Sequence, residues 1–230
     1  MPSLYIITGS NGAGKSSVGA GFLPLKIQQQ YSIFDGDKLY MQKQRTLWSE
    51  GIRAHKEAKK IALAFVELTF DTLVENALTT RDNFVYEGHF TNNATWDVPK
   101  RFREAGYTVN MLYLGLDNPD LSELRVIDRT KEGGHYVPRN IIEDNFYGNL
   151  EKLNIHYNIL DTLEIIDTSE TNHILLAQLL NNKVVYCLNL NDLPGWFINY
   201  LPNITSLIKD SKIDRLIDNP SATSRLNQMQ

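Results

Sequence analysis

Gly9-Ser10-Asn11-Gly12-Ala13-Gly14-Lys15-Ser16 decides how this chain is read. The eight residues satisfy G-x-x-x-x-G-K-[ST], the pattern of a loop that wraps phosphate groups. The loop follows Leu4-Tyr5-Ile6-Ile7, an apolar run that reads as a buried strand, and leads into a helical stretch from Ser17 to Phe22. That strand–loop–helix setting is what the mechanism requires. Glycines let successive N–H groups point inward at phosphate oxygens, and the helix N-terminus adds partial positive charge. Lys15 is then expected to reach the β- and γ-phosphates and the Ser16 hydroxyl to ligate Mg²⁺, with Ser17 closing the nucleotide-binding stretch. The alternative is a glycine-rich turn that holds no nucleotide.

Outward from the loop, short apolar runs alternate with longer helical ones, as in α/β folds with a mainly parallel sheet. Further strands are predicted at Ser32–Phe34, Phe84–Tyr86, Val109–Leu114, Leu163–Ile166 and Lys183–Leu188. A long helix from about Ile52 to Thr79 carries apolar residues on more than one side, which predicts burial between layers. Shorter helices are predicted at Trp96–Ala105, closed by Gly106, at 121–132, stopped by Gly133-Gly134, and from Pro138 to about Leu153. The fold expected is a three-layer P-loop NTPase of the kinase type, with a mainly parallel central sheet and a helical lid. Residues 1–170 form its core, including a lid at about 120–153. Residues 171–230 are a C-terminal extension packed on it, with the polar tail after about Asp218 frayed. The aromatic stretch Leu193-Pro194-Gly195-Trp196-Phe197 reads as packing of a C-terminal helix, with an adenine cover or a partner surface as alternatives.

The strand ends carry acids. Asp35-Gly36-Asp37 closes the second strand, and in a parallel sheet it would lie beside the phosphate loop. Asp37, beyond the glycine, is the candidate base for an acceptor hydroxyl and a candidate Mg²⁺ contact, with Asp35 beside it. Acids at a strand end also serve as turn-formers and helix caps. The third strand runs into Glu87-Gly88-His89, so Glu87 and His89 are candidate substrate contacts. After the fourth strand, Arg125 and Arg129 stand four apart on one helix face before Gly133-Gly134-His135. A mobile segment supplying cations would offset the charge of a phosphoryl group in flight, and His135 joins the substrate-side candidates. A solvated face, its arginines paired by Glu123, Asp128 and Glu132, is the plainer alternative.

Composition narrows the class. The 230 residues are 42% hydrophobic and 22% charged, ordinary values for a globular domain. A formal charge of -4 offers no global attraction to nucleic acid or anionic membranes, though it does not exclude a local basic cleft. Nucleic acid and membrane partners are therefore not expected, and a small molecule is. The single cysteine, Cys187, cannot form an internal disulfide and reads as an inert core residue. The short apolar start resembles no signal peptide, and no run approaches a bilayer span, so a cytoplasmic protein is expected.

The combination of Gly9–Ser16, Asp35-Gly36-Asp37, Glu87, Arg125 to Arg129, and Gly133-Gly134-His135-Tyr136-Val137-Pro138 through Asn149-Leu150 resembles the zeta-toxin-like P-loop kinases. The resemblance covers roughly Ser3 to Ser169. It implies ATP or GTP with Mg²⁺, and by it Asp37 matches the catalytic base, Lys15 the phosphate lysine and Glu87 a substrate-side acid. The family's characterised toxins phosphorylate a hydroxyl of a UDP-linked N-acetylated amino sugar, and members often pair with an antitoxin. This chain departs from the pattern at Asp144-Asn145-Phe146, where an arginine and a tyrosine are common, and Arg139 is the nearest cation to replace the missing one. The leading function is a small-molecule kinase. A nucleoside or polynucleotide 5′-end kinase and a nucleotide-binding regulatory protein without transfer are the alternatives.

Overall fold

The computed structural model describes residues 1–131, 134 and 136–211. The expectations for Glu132, Gly133, His135 and the tail after Asp218 lie outside the described residues. Among the described residues, seven strands form one sheet in the order β2-β3-β1-β4-β5-β6-β7. The central strand β1 (Ser3–Gly9) pairs in parallel with β3 (Phe84–Glu87) and with β4 (Thr108–Gly115). β2 (Phe34–Asp35) lies parallel outside β3, and β5 (Thr162–Asp167) parallel outside β4. β1, β3 and β4 are buried along most of their length, which is why they read as apolar runs rather than alternating ones.

Register brings the acids together. Asp35 and Ile7 are each paired with Glu87, and Gly115 with Asp167, so the C-terminal ends of all five parallel strands share one edge of the sheet. Ligands bind along such an edge in open α/β sheets.

The other edge differs from the expectation. The strand predicted at Lys183–Leu188 is β7 (Lys183–Cys187), and it is preceded by β6 (Ile174–Leu180), where no strand was expected. An unbroken run such as Ile174-Leu175-Leu176-Ala177-Gln178-Leu179-Leu180 fits a buried strand and a buried helix equally. β6 and β7 are antiparallel and turn through Asn181 and Asn182, both at positive φ (48° and 61°), as a two-residue hairpin of this type requires. Cys187 is half-buried at the end of β7.

The phosphate-loop helix α1 (Lys15–Val18) is one turn of α-helix continued by a 3₁₀ turn over Gly19–Phe22, and α2 (Leu25–Gln30) follows. A helix pair, α3 (Gly36–Ser49) and α4 (His55–Thr80), joins β2 to β3. Leu47 of α3 packs on Ala58 and Ala62 of α4 in a small cluster of its own, while Val74 and Ala77 join the main core. The expectation that α4 lies between layers is overturned: Leu68 is 68% exposed and Phe65 39%. α4 packs through one side, on α3 near its start and on the main core further along, and apolar residues on its other side face outward.

α5 (Asp97–Glu104) ends at Gly106, φ 78°, as predicted. α6 (Pro119–Lys131) and α7 (Arg139–His156) are the helices predicted at 121–132 and from Pro138 to about Leu153. α8 (Gly195–Tyr200) and α9 (Pro202–Asp210) pack on the sheet, with Trp196, Phe197, Leu201 and Ile204 all buried. The indole of Trp196 lies against Gly115, where an added Cβ would come within 2.2 Å of the ring. The C-terminal aromatics thus seal the core beneath the end of β4.

Candidate active site

The loop between β1 and α1 is held open by its glycines. Gly9, Gly12 and Gly14 have φ of 140°, 72° and 87°, a region that side chains disfavour. Among the described residues, nothing accepts a hydrogen bond from the amides of Gly12, Gly14, Lys15 or Ser16. Amides without internal partners at a helix start are what a phosphate chain satisfies. The buried hydroxyl of Ser10 is also unpartnered. The residues therefore fit a nucleoside triphosphate.

Three neighbours brace the loop from behind. Ser122 Oγ of α6 donates to the Asn11 carbonyl at 2.5 Å, and Asn145 Nδ2 of α7 donates to Asn11 Oδ1 at 2.8 Å. Thr168 Oγ1, just past β5, donates to the carbonyl of Ala13 at 3.0 Å. The substituted lid position Asn145 is thus an anchor of the loop.

Lys15 Nζ donates to the carbonyls of Gly9 (3.0 Å) and Ser10 (2.9 Å). Burial lowers its pKa to about 8, against the opposing pull of the Glu87 and Asp37 carboxylates, and the charge of Arg129 pushes the same way as burial. Ser16 Oγ donates to Glu87 Oε1 at 2.7 Å. Because the hydroxyl gives its proton to Glu87, its lone pairs stay free for a cation. Among the described residues, no group of three ligating side chains could hold a metal ion alone. The Ser16 hydroxyl and the nearby Asp37 carboxylate are oxygen donors of the kind Mg²⁺ takes beside phosphates and water.

Across from the loop stand the acids of β2 and β3. Asp35 caps α3 by accepting from the Lys38 N–H at 2.8 Å, the capping role that its position also allowed. Asp37 lies exposed in the first turn of α3, where its charge acts on Lys15. Glu87 is pushed up to about 7, chiefly by burial and also by the neighbouring Asp35; the Ser16 hydrogen bond and the charge of Lys15 pull it down. Lys15, Ser16, Asp35, Asp37 and Glu87 thus form one electrostatic unit.

His89 belongs to a network that sequence inspection missed. Asn149 is buried on the apolar stripe of α7 that includes Ile142, Phe146 and Leu153. Its Oδ1 accepts from the Phe90 N–H (2.5 Å) and from Thr8 Oγ1 (3.2 Å), and its Nδ2 lies 3.1 Å from His89 Nδ1. Burial drives the His89 pKa well below its ordinary value, and the Gly9 backbone beside the ring favours the charged form. His89 is accordingly a neutral ring set beneath the loop. An asparagine on a helix's apolar stripe was the signal that could have revealed the network.

On α6, Arg125 Nη2 donates to the Ser169 carbonyl at 2.7 Å and Nη1 to the Gly12 carbonyl at 3.4 Å. Gly12 permits this approach, since a Cβ there would meet Arg125 Cβ at 2.9 Å. Arg129, one turn on, is exposed, and its charge reaches Lys15. Arg139, the expected replacement cation, is committed elsewhere: Asp120, Glu123 and Glu143 surround it at 2.7, 2.8 and 2.7 Å.

The fold and the loop define an α/β protein of the P-loop kinase type. The chain belongs to the zeta toxin family, whose model matches residues 1–179. Among solved structures, it is similar to the AvrRxo1-ORF1:AvrRxo1-ORF2 complex with sulphate ions (14% identity, TM-score 0.61) and to the same pair with ATP (12%, TM-score 0.64). Each alignment covers 100% of this chain and 75% of that one. It is also similar to a structure of the PezAT chromosomal toxin–antitoxin system of Streptococcus pneumoniae. There the identity is 16% and the TM-score 0.55, over 100% of this chain and 88% of that one. At these identities the likeness speaks for the fold alone. No curated protein matches the chain. Among the described residues, no helix is long and apolar enough to cross a membrane.

Proposed function

We propose that the protein is a Mg²⁺-dependent kinase that moves the γ-phosphoryl group of ATP or GTP onto a hydroxyl of a small molecule, a UDP-linked amino sugar being the leading candidate. The observation that carries this is the meeting of Asp35, Asp37 and Glu87 with Lys15 and Ser16 at one edge of the sheet. The loop amides and Lys15 hold the triphosphate, and Lys15 exchanges its two loop carbonyls for phosphate oxygens. Ser16, with Asp37 nearby, would hold Mg²⁺, which when bound would supply charge neutralisation for the transferred phosphate.

Asp37 accepts the proton as the acceptor O–H bond breaks. The acceptor oxygen bonds to the γ-phosphorus, the bond to the β,γ-bridging oxygen breaks, and the nucleoside diphosphate leaves. Arg125 and Arg129 stabilise the charge spread over the transferring group. Glu87 orients the acceptor from the β3 side, as His135 would from the lid, while His89 contributes by fixing the floor of the site.

The PezAT neighbour comes from a toxin–antitoxin system, and the proposal includes an antitoxin-like protein partner for this chain. The proposal puts its work in the cytoplasm, where nucleoside triphosphates are supplied. The test is γ-labelled ATP and GTP incubated with UDP-linked amino sugars and with other hydroxyl metabolites. Labelled product that disappears in Asp37→Asn supports the proposal. Tight nucleotide binding with no labelled product across the panel would refute it in favour of a non-transferring regulator.

A further inference from the structure

Charge is not spread evenly over this chain. Of its 23 basic and 27 acidic side chains, seven and two fall between residues 38 and 60, leaving 16 and 25 for all the rest. A stretch that is net positive by five thus sits in a protein that is net negative by four. It comprises α3 beyond its first residues, the loop after it and the first turns of α4.

On α3, Lys38, Gln42, Arg45 and Trp48 follow one another at steps of four, three and three, which places them on one face of the helix. The buried Leu47 lies on the opposite face, against α4. All four are exposed, Trp48 to 58%. From the loop, Arg53 lays its guanidinium 4.2 Å from the centre of the Trp48 ring. Among the described residues, no carboxylate lies within ion-pair reach of Lys38, Arg45 or Arg53.

An exposed row of unpaired cations ending in an exposed indole has a particular chemistry. From Lys38 to Trp48 the row rises on the order of 15 Å along α3, farther than one phosphate group can reach. A flexible strand of phosphates spans it readily, and the aromatic end offers a base a stacking platform. A membrane surface would be met by a broad apolar face, but here Trp48 shares its face with Lys38, Gln42 and Arg45.

We propose that this face of α3, together with Arg53, binds single-stranded nucleic acid. Lys38, Arg45 and Arg53 neutralise successive phosphates, and a base stacks on the exposed Trp48 ring, taking the place over it that the Arg53 guanidinium leaves as it turns to a phosphate. The chain's overall negative charge had pointed away from nucleic acid because it averages over two oppositely charged regions. This surface lies outside the phosphate loop and does not depend on the phosphotransfer proposal.

The test is fluorescence anisotropy of the full chain with fluorescein-labelled twelve-nucleotide thymidine and uridine oligomers, with no triphosphate present. Three neutralised phosphates predict a log–log salt slope near -2, so affinity should fall roughly 20-fold between 50 and 200 mM salt. Trp48→Ala should weaken binding about 5- to 100-fold through lost stacking. Arg45→Glu combined with Arg53→Glu should weaken it further and flatten the salt slope. Both variants should keep wild-type triphosphate binding and thermal unfolding, since all three side chains are exposed. Absence of oligomer binding at 50 mM salt would overturn the proposal, as would variants that bind like wild type. Binding to phosphatidylserine vesicles without binding to oligomers would overturn it in favour of a membrane surface.

Discussion

The Ser16 hydroxyl donates to Glu87 Oε1 at 2.7 Å, so the phosphate loop and the acid at the end of β3 are tied across the mouth of the site. Burial holds the Glu87 pKa near 7, above the ordinary 4.5. Between those two pH values the unfolded chain has released this proton while the folded chain keeps it, so stability attributable to Glu87 declines as pH rises through that window. Glu87→Gln should flatten the decline. Thermal unfolding of both proteins at intervals from pH 4.5 to 8 would show the variant gaining on wild type as pH increases.

Lys15, lowered to about 8 by burial, loses its charge at a pH where an exposed lysine keeps it. Triphosphate affinity should therefore decline as pH rises above about 8. Lys15→Ala should bind roughly 10- to 100-fold more weakly at neutral pH and lose that dependence, because charge-assisted bonds to phosphate are gone. Calorimetric titration with a non-hydrolysable analogue between pH 7 and 9.5 measures both effects.

Asp37 is exposed and contributes little to the core, so its replacement separates chemistry from folding. Asp37→Asn should lower transfer by about 10²- to 10⁴-fold while nucleotide affinity stays within about threefold. Single-turnover transfer and nucleotide titration on the same preparation test the pair of expectations.

Asn149→Ala would leave the Phe90 N–H and the Thr8 hydroxyl without their buried acceptor and remove the Asn149 contact of His89. The expected cost is about 2–4 kcal/mol, because each group would keep its desolvation penalty and lose its bond. Urea unfolding reads the loss directly. Asn145→Ala, which removes only the half-buried contact to Asn11, should cost less.

Gly115→Ala tests the seal made by the C-terminal helices. A methyl group there would collide with the Trp196 indole, and overpacking of this kind costs about 1–3 kcal/mol. The loss should appear in denaturant unfolding, with a shift in Trp196 emission as the ring is displaced.

Much of the fold is visible in residues that lie next to one another. Strands β1, β3, β4 and β5 are buried stretches bounded by polar or glycine residues, and α5 is closed by a glycine at positive φ. β6 was not separable from a helix, because Ile174 to Leu180 has neither alternation nor a helical period. The apolar sides of α4 pointed to burial only because a sequence does not say how many neighbours a helix has.

The candidate site divides in the same way. Gly9, Gly12, Gly14, Lys15 and Ser16 are legible because a phosphate loop is a local device: its backbone angles and inward amides arise within eight residues. Tertiary structure alone decided that Asn149 of α7 joins β1 to the segment after β3, that Arg139 is held by three carboxylates, and that Trp196 lies on Gly115. It also decided that Asp35 and Glu87 stand side by side. Those contacts depend on register and on packing between segments distant in the chain, and such contacts leave no period or spacing in the sequence. Local geometry was written into the loop; the partners that surround it were chosen by the fold.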